Sequence, residues 1–259
     1  MVQHRWPRGG GGGTEIPAYG HHLLWLFTYG RGTVVYGAER IPERGSLVVP
    51  NMPDRVIIKC AWQPVSKQPE DELFRLAHAR GVNGIARLYG SCGVRLLSRG
   101  IRQGFCDQKA YQDRELRAQV MGPRCVPLYR AKDPEAFKKA FISLVEGLCS
   151  VLISPSAMFT NHAAHHELYE KVGILHRDIS INNLMVDSER PDIGVLIDLD
   201  FAAHDRDADT GARFDLPSMP GGTLLFRAID LCATDPLPRS FYRHDLESFF
   251  LGTLMDPPG

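Results

Sequence analysis

The segment Ile174-Leu175-His176-Arg177-Asp178-Ile179-Ser180-Ile181-Asn182-Asn183-Leu184-Met185-Val186 constrains this chain more than any other. It reads H-R-D-x-x-x-x-N and runs straight into an apolar strand. The Asp stands on a turn, and the Asn stands where the chain comes back. A second acid follows twenty residues after the first. There the apolar run from Gly194 to Ile197, patterned as a buried strand, delivers Asp198 in the triplet Asp198-Leu199-Asp200. A solvated acidic turn at a strand end accounts for the second motif alone. It does not account for both motifs at this spacing.

Further pieces lie upstream. Arg55-Val56-Ile57-Ile58-Lys59 is a β-branched run ending in a lysine, which predicts a strand. Pro69-Glu70-Asp71-Glu72 opens a helix, because Pro suits the first position and acids suit the positive end of the dipole. Glu70 shares one face with Leu73, Phe74 and Ala77, at i+3, i+4 and i+7. Glu72 has Arg75 at i+3. Glu70 is therefore the inward-facing acid and Glu72 the runner-up. Tyr29-Gly30-Arg31-Gly32-Thr33-Val34-Val35-Tyr36-Gly37-Ala38 places a glycine-containing turn between two strands. Such a turn lets backbone N–H groups approach phosphate oxygens. Taken alone it also fits a plain β-hairpin, and its weight comes from its place ahead of the other motifs.

Four pieces together, Gly30-Arg31-Gly32-Thr33, His176-Arg177-Asp178-Ile179-Ser180, Leu196-Ile197-Asp198-Leu199-Asp200 and His244-Asp245-Leu246-Glu247-Ser248, resemble the fungal-type protein kinase family over residues 14–250. The resemblance implies an α+β, two-lobed protein kinase-like fold: a small antiparallel β lobe and a helical lobe, with ATP and Mg2+ between them. It implies that Asp178, in its loop with His176 and Arg177, is the base that meets the acceptor hydroxyl. Asn183 and Asp198 would ligate magnesium, and Lys59, paired with Glu70, would hold the phosphates. Gly30 and Gly32 would lie over the phosphates. Val35 would cover the adenine and Met185 would underlie it. Met121-Gly122-Pro123-Arg124 would be the hinge, and Asp245 the anchoring acid of a central helix. The polar stretch 204–220 would be an activation segment, closed by Gly221-Gly222-Thr223-Leu224-Leu225-Phe226-Arg227-Ala228-Ile229-Asp230. Thr210 and Ser218 are the candidate phosphate acceptors within it, for pairing with Arg177.

Several residues depart from the family pattern. The third glycine of the phosphate loop is displaced, Ile57 replaces an alanine, and Ser180 stands where many such loops have lysine. Asp200 replaces a glycine, which predicts strain if that position needs a positive φ. The activity implied is an ATP- and Mg-dependent protein kinase acting on Ser/Thr hydroxyls, with a protein substrate. Two alternatives stay open. One is an inactive pseudokinase-like remnant or interaction module. The other is a small-molecule phosphotransferase, against which Arg177 and the Gly222-Thr223 segment both weigh.

Composition narrows the class. A hydrophobic fraction of 44% suits a chain with a sizeable core. The formal net charge is zero, which argues against nucleic acid or an anionic membrane as bulk partner. Oligomeric state is not set by the sequence. Six cysteines without a C-x-x-C predict neither a disulfide framework nor a thiolate metal site. With no signal-peptide pattern, they predict an intracellular protein, cytoplasmic or nuclear. The run from His22 to Phe27 falls well short of the ~20 apolar residues a membrane span needs. His162, His165 and His166 are read as an exposed helical patch rather than a zinc site, since no Cys or acid completes one.

The expected organisation is a flexible Gly-rich tail at 1–13, a small lobe at 14–121 and a large lobe at 122–259. A strand is expected at Ile85–Tyr89, an exposed loop from Ser91 to Asp113, a strand at Leu116–Met121 and a helix at Pro134–Glu146. Residues 148–165, broken by Ser154-Pro155-Ser156, read as an insertion into the helix before the catalytic loop. The central helix starts near Asp245 and the chain stops at Gly259. That predicts a large lobe truncated after the start of its central helix, with apolar side chains left uncovered and activity impaired.

Overall fold

The computed structural model describes residues 32–40, 49–99, 112–145, 164–207, 222–233 and 238–254. Gly30, Thr210, Ser218 and most of the segment read as an insertion lie outside the described residues. The fold is mixed α+β with antiparallel sheets, and it divides into two compact units. The first is the chain through Asp71 together with Arg87–Arg124; the second is Glu72–Ala86 together with Cys125 onward.

The first unit is a four-stranded antiparallel sheet of β1 (Val34–Glu39), β2 (Arg55–Pro64), β3 (Arg87–Leu96) and β4 (Arg114–Gly122), in the order β1-β2-β4-β3. Register sets Lys59 opposite Val35 on one side and Gln119 on the other. Side chains alternate between the two faces. One face therefore carries Lys59, Ala61 and Gln63 of β2 with Glu115, Arg117 and Gln119 of β4. A polar face of this kind normally meets water. Here Lys59, Gln63 and Gln119 are buried, and the first residues of helix α1 (Glu70–Ala79) bond to this face. The strand β3 runs on to Leu96, so the loop expected from Ser91 starts later. The register shifts between Leu88 and Gly90 and between Gly93 and Arg95. These irregularities break the period-two pattern, and their glycines mimic a loop.

The second unit contains a three-stranded sheet of β5 (Cys125–Pro127), β7 (Leu184–Asp187) and β8 (Gly194–Leu196), in the order β5-β7-β8. A two-stranded ladder pairs β6 (Ile174–Leu175) with β9 (Ala203–His204). Around them lie most of α1 and the helices α2 (Pro134–Val145), α3 (Ala164–Val172), α4 (Asp230–Ala233) and α5 (Tyr242–Leu254). The helix α2 is capped by Asp133, whose carboxylate accepts the Ala136 N–H at 2.7 Å. Its face of Ala136, Ala140 and Leu144 is buried. A side chain at Gly194 would meet the Ala140 carbonyl, so a glycine lets β8 approach α2 closely.

Three residues suffice for β8 because both its edges are paired. β7 takes one edge, and on the other the Leu196 N–H donates to Gly84 O at 2.8 Å while Ala86 N–H donates to Leu196 O at 3.0 Å. Leu144, Leu168, Ile174, Leu175, Ile179, Leu196 and Leu199 are essentially inaccessible. Burial of each is worth about 1.5–3 kcal/mol. This core brackets the loop from His176 to Asn183 and the turn after β8. Among the described residues no helix is long and apolar enough to cross a membrane.

Candidate active site

Loop 176–180 leaves β6 with an unusual backbone. Arg177 has φ 64°, a left-handed conformation that non-glycine residues adopt at a cost of ~1–2 kcal/mol. The cost is offset by Asp245 at the start of α5. Its Oδ2 accepts the His176 N–H at 2.8 Å and its Oδ1 accepts the Arg177 N–H at 2.9 Å. His165 Nε2 lies 3.1 Å from Oδ2. Burial pushes the Asp245 carboxyl up, but the His165 hydrogen bond and the neighbouring imidazoles outweigh it and hold the group below the usual carboxylate range. Burial also lowers the Arg177 guanidinium, opposed by Asp245.

His176 ties the loop to the end of β8. The Asp178 N–H donates to its Nδ1 at 3.3 Å, so the ring proton sits on Nε2, which lies 3.0 Å from Ile197 O.

Asp178 is held at both ends. Asn183 Nδ2 donates to its backbone carbonyl at 2.8 Å. Its Oδ1 accepts the Thr223 N–H at 2.8 Å and the Thr223 hydroxyl at 3.1 Å. Among the described residues no group hydrogen-bonds Oδ2. Burial raises the Asp178 pKa and the nearby Asp198 charge raises it further; His176 and the Thr223 hydrogen bonds pull the other way. The result is a carboxylate oriented by one oxygen, with more affinity for a proton than a solvated one. Gly222 has φ 81°, and a side chain there would meet the Arg177 carbonyl, so the backbone closes over the loop only with glycine.

Asp198 takes the left-handed conformation at φ 64°, and its Oδ1 accepts the Asp200 N–H at 3.2 Å. The strain expected at Asp200 is absent, because the positive φ falls two residues earlier. Asp is among the residue types that tolerate it best. Leu199, between them, is fully buried. Ser180 is buried as well.

In the first unit, Lys59 Nζ donates to both Glu70 oxygens, at 2.8 and 2.9 Å. Lys59 is 6% exposed and Glu70 2%, whereas Glu72 is exposed. Glu70 is therefore the partner and Glu72 is not. Gln63 completes the pair. Its Nε2 donates to Glu70 Oε2 at 3.3 Å and its Oε1 accepts the Glu70 N–H at 3.4 Å, capping α1 from a strand. Gly32 has φ 56° and Val35 is half-exposed. Met185 lies in β7 between Pro127 and Val195 in register.

The structure thus brings Lys59 to Glu70 in one unit, and His176, Arg177, Asp178 and Asn183 into one bonded loop in the other, with Asp198 alongside. Sequence reasoning passed over Gln63, Thr223 and His165 as contributors. His165 corrects an expectation. It is no part of an exposed patch: it is fully buried, its ring stacked on Tyr242 at 4.7 Å and edge-on to Phe249 at 5.2 Å. The signal was present, since His165 shares a helical face with Leu168 and Val172 at i+3 and i+7.

The model of the fungal protein kinase family matches this chain over residues 27–104 and 98–251. That is most of the chain, and the chain belongs to the family. No curated protein matches it.

Proposed function

We propose that this protein transfers the γ-phosphoryl group of ATP, with Mg2+, to Ser or Thr hydroxyls of a protein substrate. The observation that carries the reading is the state of Asp178. One carboxylate oxygen is fixed by two hydrogen bonds from Thr223, and no described residue bonds the other. An oriented, proton-hungry oxygen is what a general base needs.

The residues fit the implied cofactors. Asn183 spends its amide N–H on Asp178, and among the described residues nothing donates to its amide oxygen. That oxygen and the Asp198 carboxylate are hard donors of the kind magnesium takes. Magnesium bound there would neutralise phosphate charge. In this reading Lys59, kept in place by Glu70 and Gln63, holds phosphate oxygens, and Gly32 and Val35 line the nucleotide from β1. Asp178 Oδ2 accepts the proton of the attacking hydroxyl. His176 and Asp245 keep that carboxylate in position by fixing the loop backbone. The Thr223 hydroxyl already occupies Asp178 Oδ1 at 3.1 Å, which leaves Oδ2 for the acceptor hydroxyl.

The test is transfer of labelled γ-phosphate from Mg-ATP to mixed Ser-, Thr- and Tyr-containing acceptor proteins. Phosphoserine or phosphothreonine is the expected product. Phosphotyrosine alone would overturn the acceptor class, and label on added small-molecule alcohols alone would overturn the protein substrate.

A further inference from the structure

We infer that Asp71, gripped by Arg117 and Ser91, is a positioning residue that sets the start of α1 and thereby keeps Glu70 on Lys59. The inference rests on the phosphotransfer reading for its functional meaning, though not for its geometry.

Glu70 and Asp71 are adjacent acids at the first turn of a helix, and both are 2% exposed. Successive helical residues diverge by about 100°. The two carboxylates therefore meet different parts of the sheet's polar face. Glu70 goes to Lys59 and Gln63 on β2. Asp71 goes to two different strands: Arg117 Nη1 of β4 donates to its Oδ1 at 2.7 Å, and Ser91 Oγ of β3 donates to its Oδ2 at 2.6 Å.

The grip is itself braced. Arg117 Nε pairs with Glu115 at 2.8 Å, which fixes the guanidinium plane. The Glu115 carboxylate occupies the space that a side chain at Gly93 would need. A lone attachment at Glu70 would leave the helix start free to pivot about that point. A second attachment, on different strands and at a different angle, removes that freedom. A buried acid stripped of one partner is costly, so the two grips hold together. Asp71 and Arg117 themselves do no chemistry in this arrangement; they act through Glu70.

The experiment is acylation of lysines in the folded protein by an amine-reactive reagent, read residue by residue by mass spectrometry, in parallel with phosphotransfer. Lys59, buried and held between two carboxylate oxygens, should label slowly. Glu70→Gln should speed it and calibrates the signal. Arg117→Met should speed Lys59 labelling by about tenfold, the factor for losing one charged hydrogen bond. Ser91→Ala should speed it less, and Glu72→Gln should leave it unchanged.

The double variant Asp71→Asn/Arg117→Met should regain most of the melting temperature, because no buried acid is left without its cation and the Glu115 side chain, 27% exposed, can turn to water, yet keep Lys59 fast. A merely structural role would restore both. Wild-type labelling of Lys59 in Arg117→Met or in the double variant overturns the inference. If Arg117→Met unfolds, seen as fast labelling of every lysine, then Ser91→Ala decides, and wild-type labelling of Lys59 there overturns it. If labelling follows the expected order while no protein, wild type included, transfers phosphate, the positioning role stands and the phosphotransfer reading falls.

Discussion

The two units secure a buried acid in different ways. In the first, Glu70 is satisfied chiefly by side chains, Lys59 and Gln63. In the second, Asp245 takes two of its hydrogen bonds from backbone N–H groups, those of His176 and Arg177, and a third from His165. Side-chain partners can be exchanged together. Backbone donors cannot, and these two converge only because Arg177 has a positive φ. The first arrangement is a side-chain contact between a helix and a sheet. The second is a conformation of the chain itself.

Substitution should expose that contrast. The largest effect is expected from Asp245→Ala, which strands two backbone donors and a buried histidine. A loss of about 4–5 kcal/mol is expected, read from the shift in denaturant midpoint. Replacing His165 with Phe in the same chain should recover little of it, since the two N–H groups stay unpaired. Lys59→Met should cost less, about 3 kcal/mol, by leaving Glu70 buried without its cation. Here a second change should help: Lys59→Met/Glu70→Leu should regain most of the midpoint while phosphotransfer stays lost. Full recovery of Asp245→Ala by His165→Phe, or no recovery of Lys59→Met by Glu70→Leu, would break the comparison.

A smaller effect separates orientation from protonation at Asp178. The Thr223 hydrogen bonds favour its charged form. A base works deprotonated, so the rate falls as pH drops through its pKa. Thr223→Ala removes the hydroxyl bond, the Asp178 pKa climbs further, and the acid limb of kcat/KM should move to higher pH. The plateau should drop only severalfold. An acid limb moved to lower pH would contradict the sign of this account.

The sequence made legible those features that depend on local spacing. Strands delivering Lys59 and Asp198 follow from β-branched runs, and the choice of Glu70 over Glu72 follows from the 3.6-residue period. Features set by the fold around a residue were not legible. The second half of β3, from Ser91 to Leu96, reads as loop because its bulges carry glycines, although the strand's first residues are legible. His165 was grouped with neighbouring histidines instead of being placed on its helical face. The role of Asp71 depends on a polar sheet face being covered, which no local pattern announces. Asp200 suggested strain because a glycine was expected there, but the backbone puts the demanding conformation on Asp198.

The central claim is that Asp178 is the base of a phosphoryl transfer from nucleotide. The most direct measurement pairs single-turnover transfer of γ-phosphate with nucleotide-induced stabilisation, in the wild type and in Asp178→Asn. Nucleotide at ~100 times its Kd should stabilise both proteins by about 2.7 kcal/mol, because Lys59, Asn183 and Asp198 are untouched. Transfer should fall by roughly 10²–10⁴ in the variant alone. Transfer by Asp178→Asn at the wild-type rate, with stabilisation intact in both, would contradict the account.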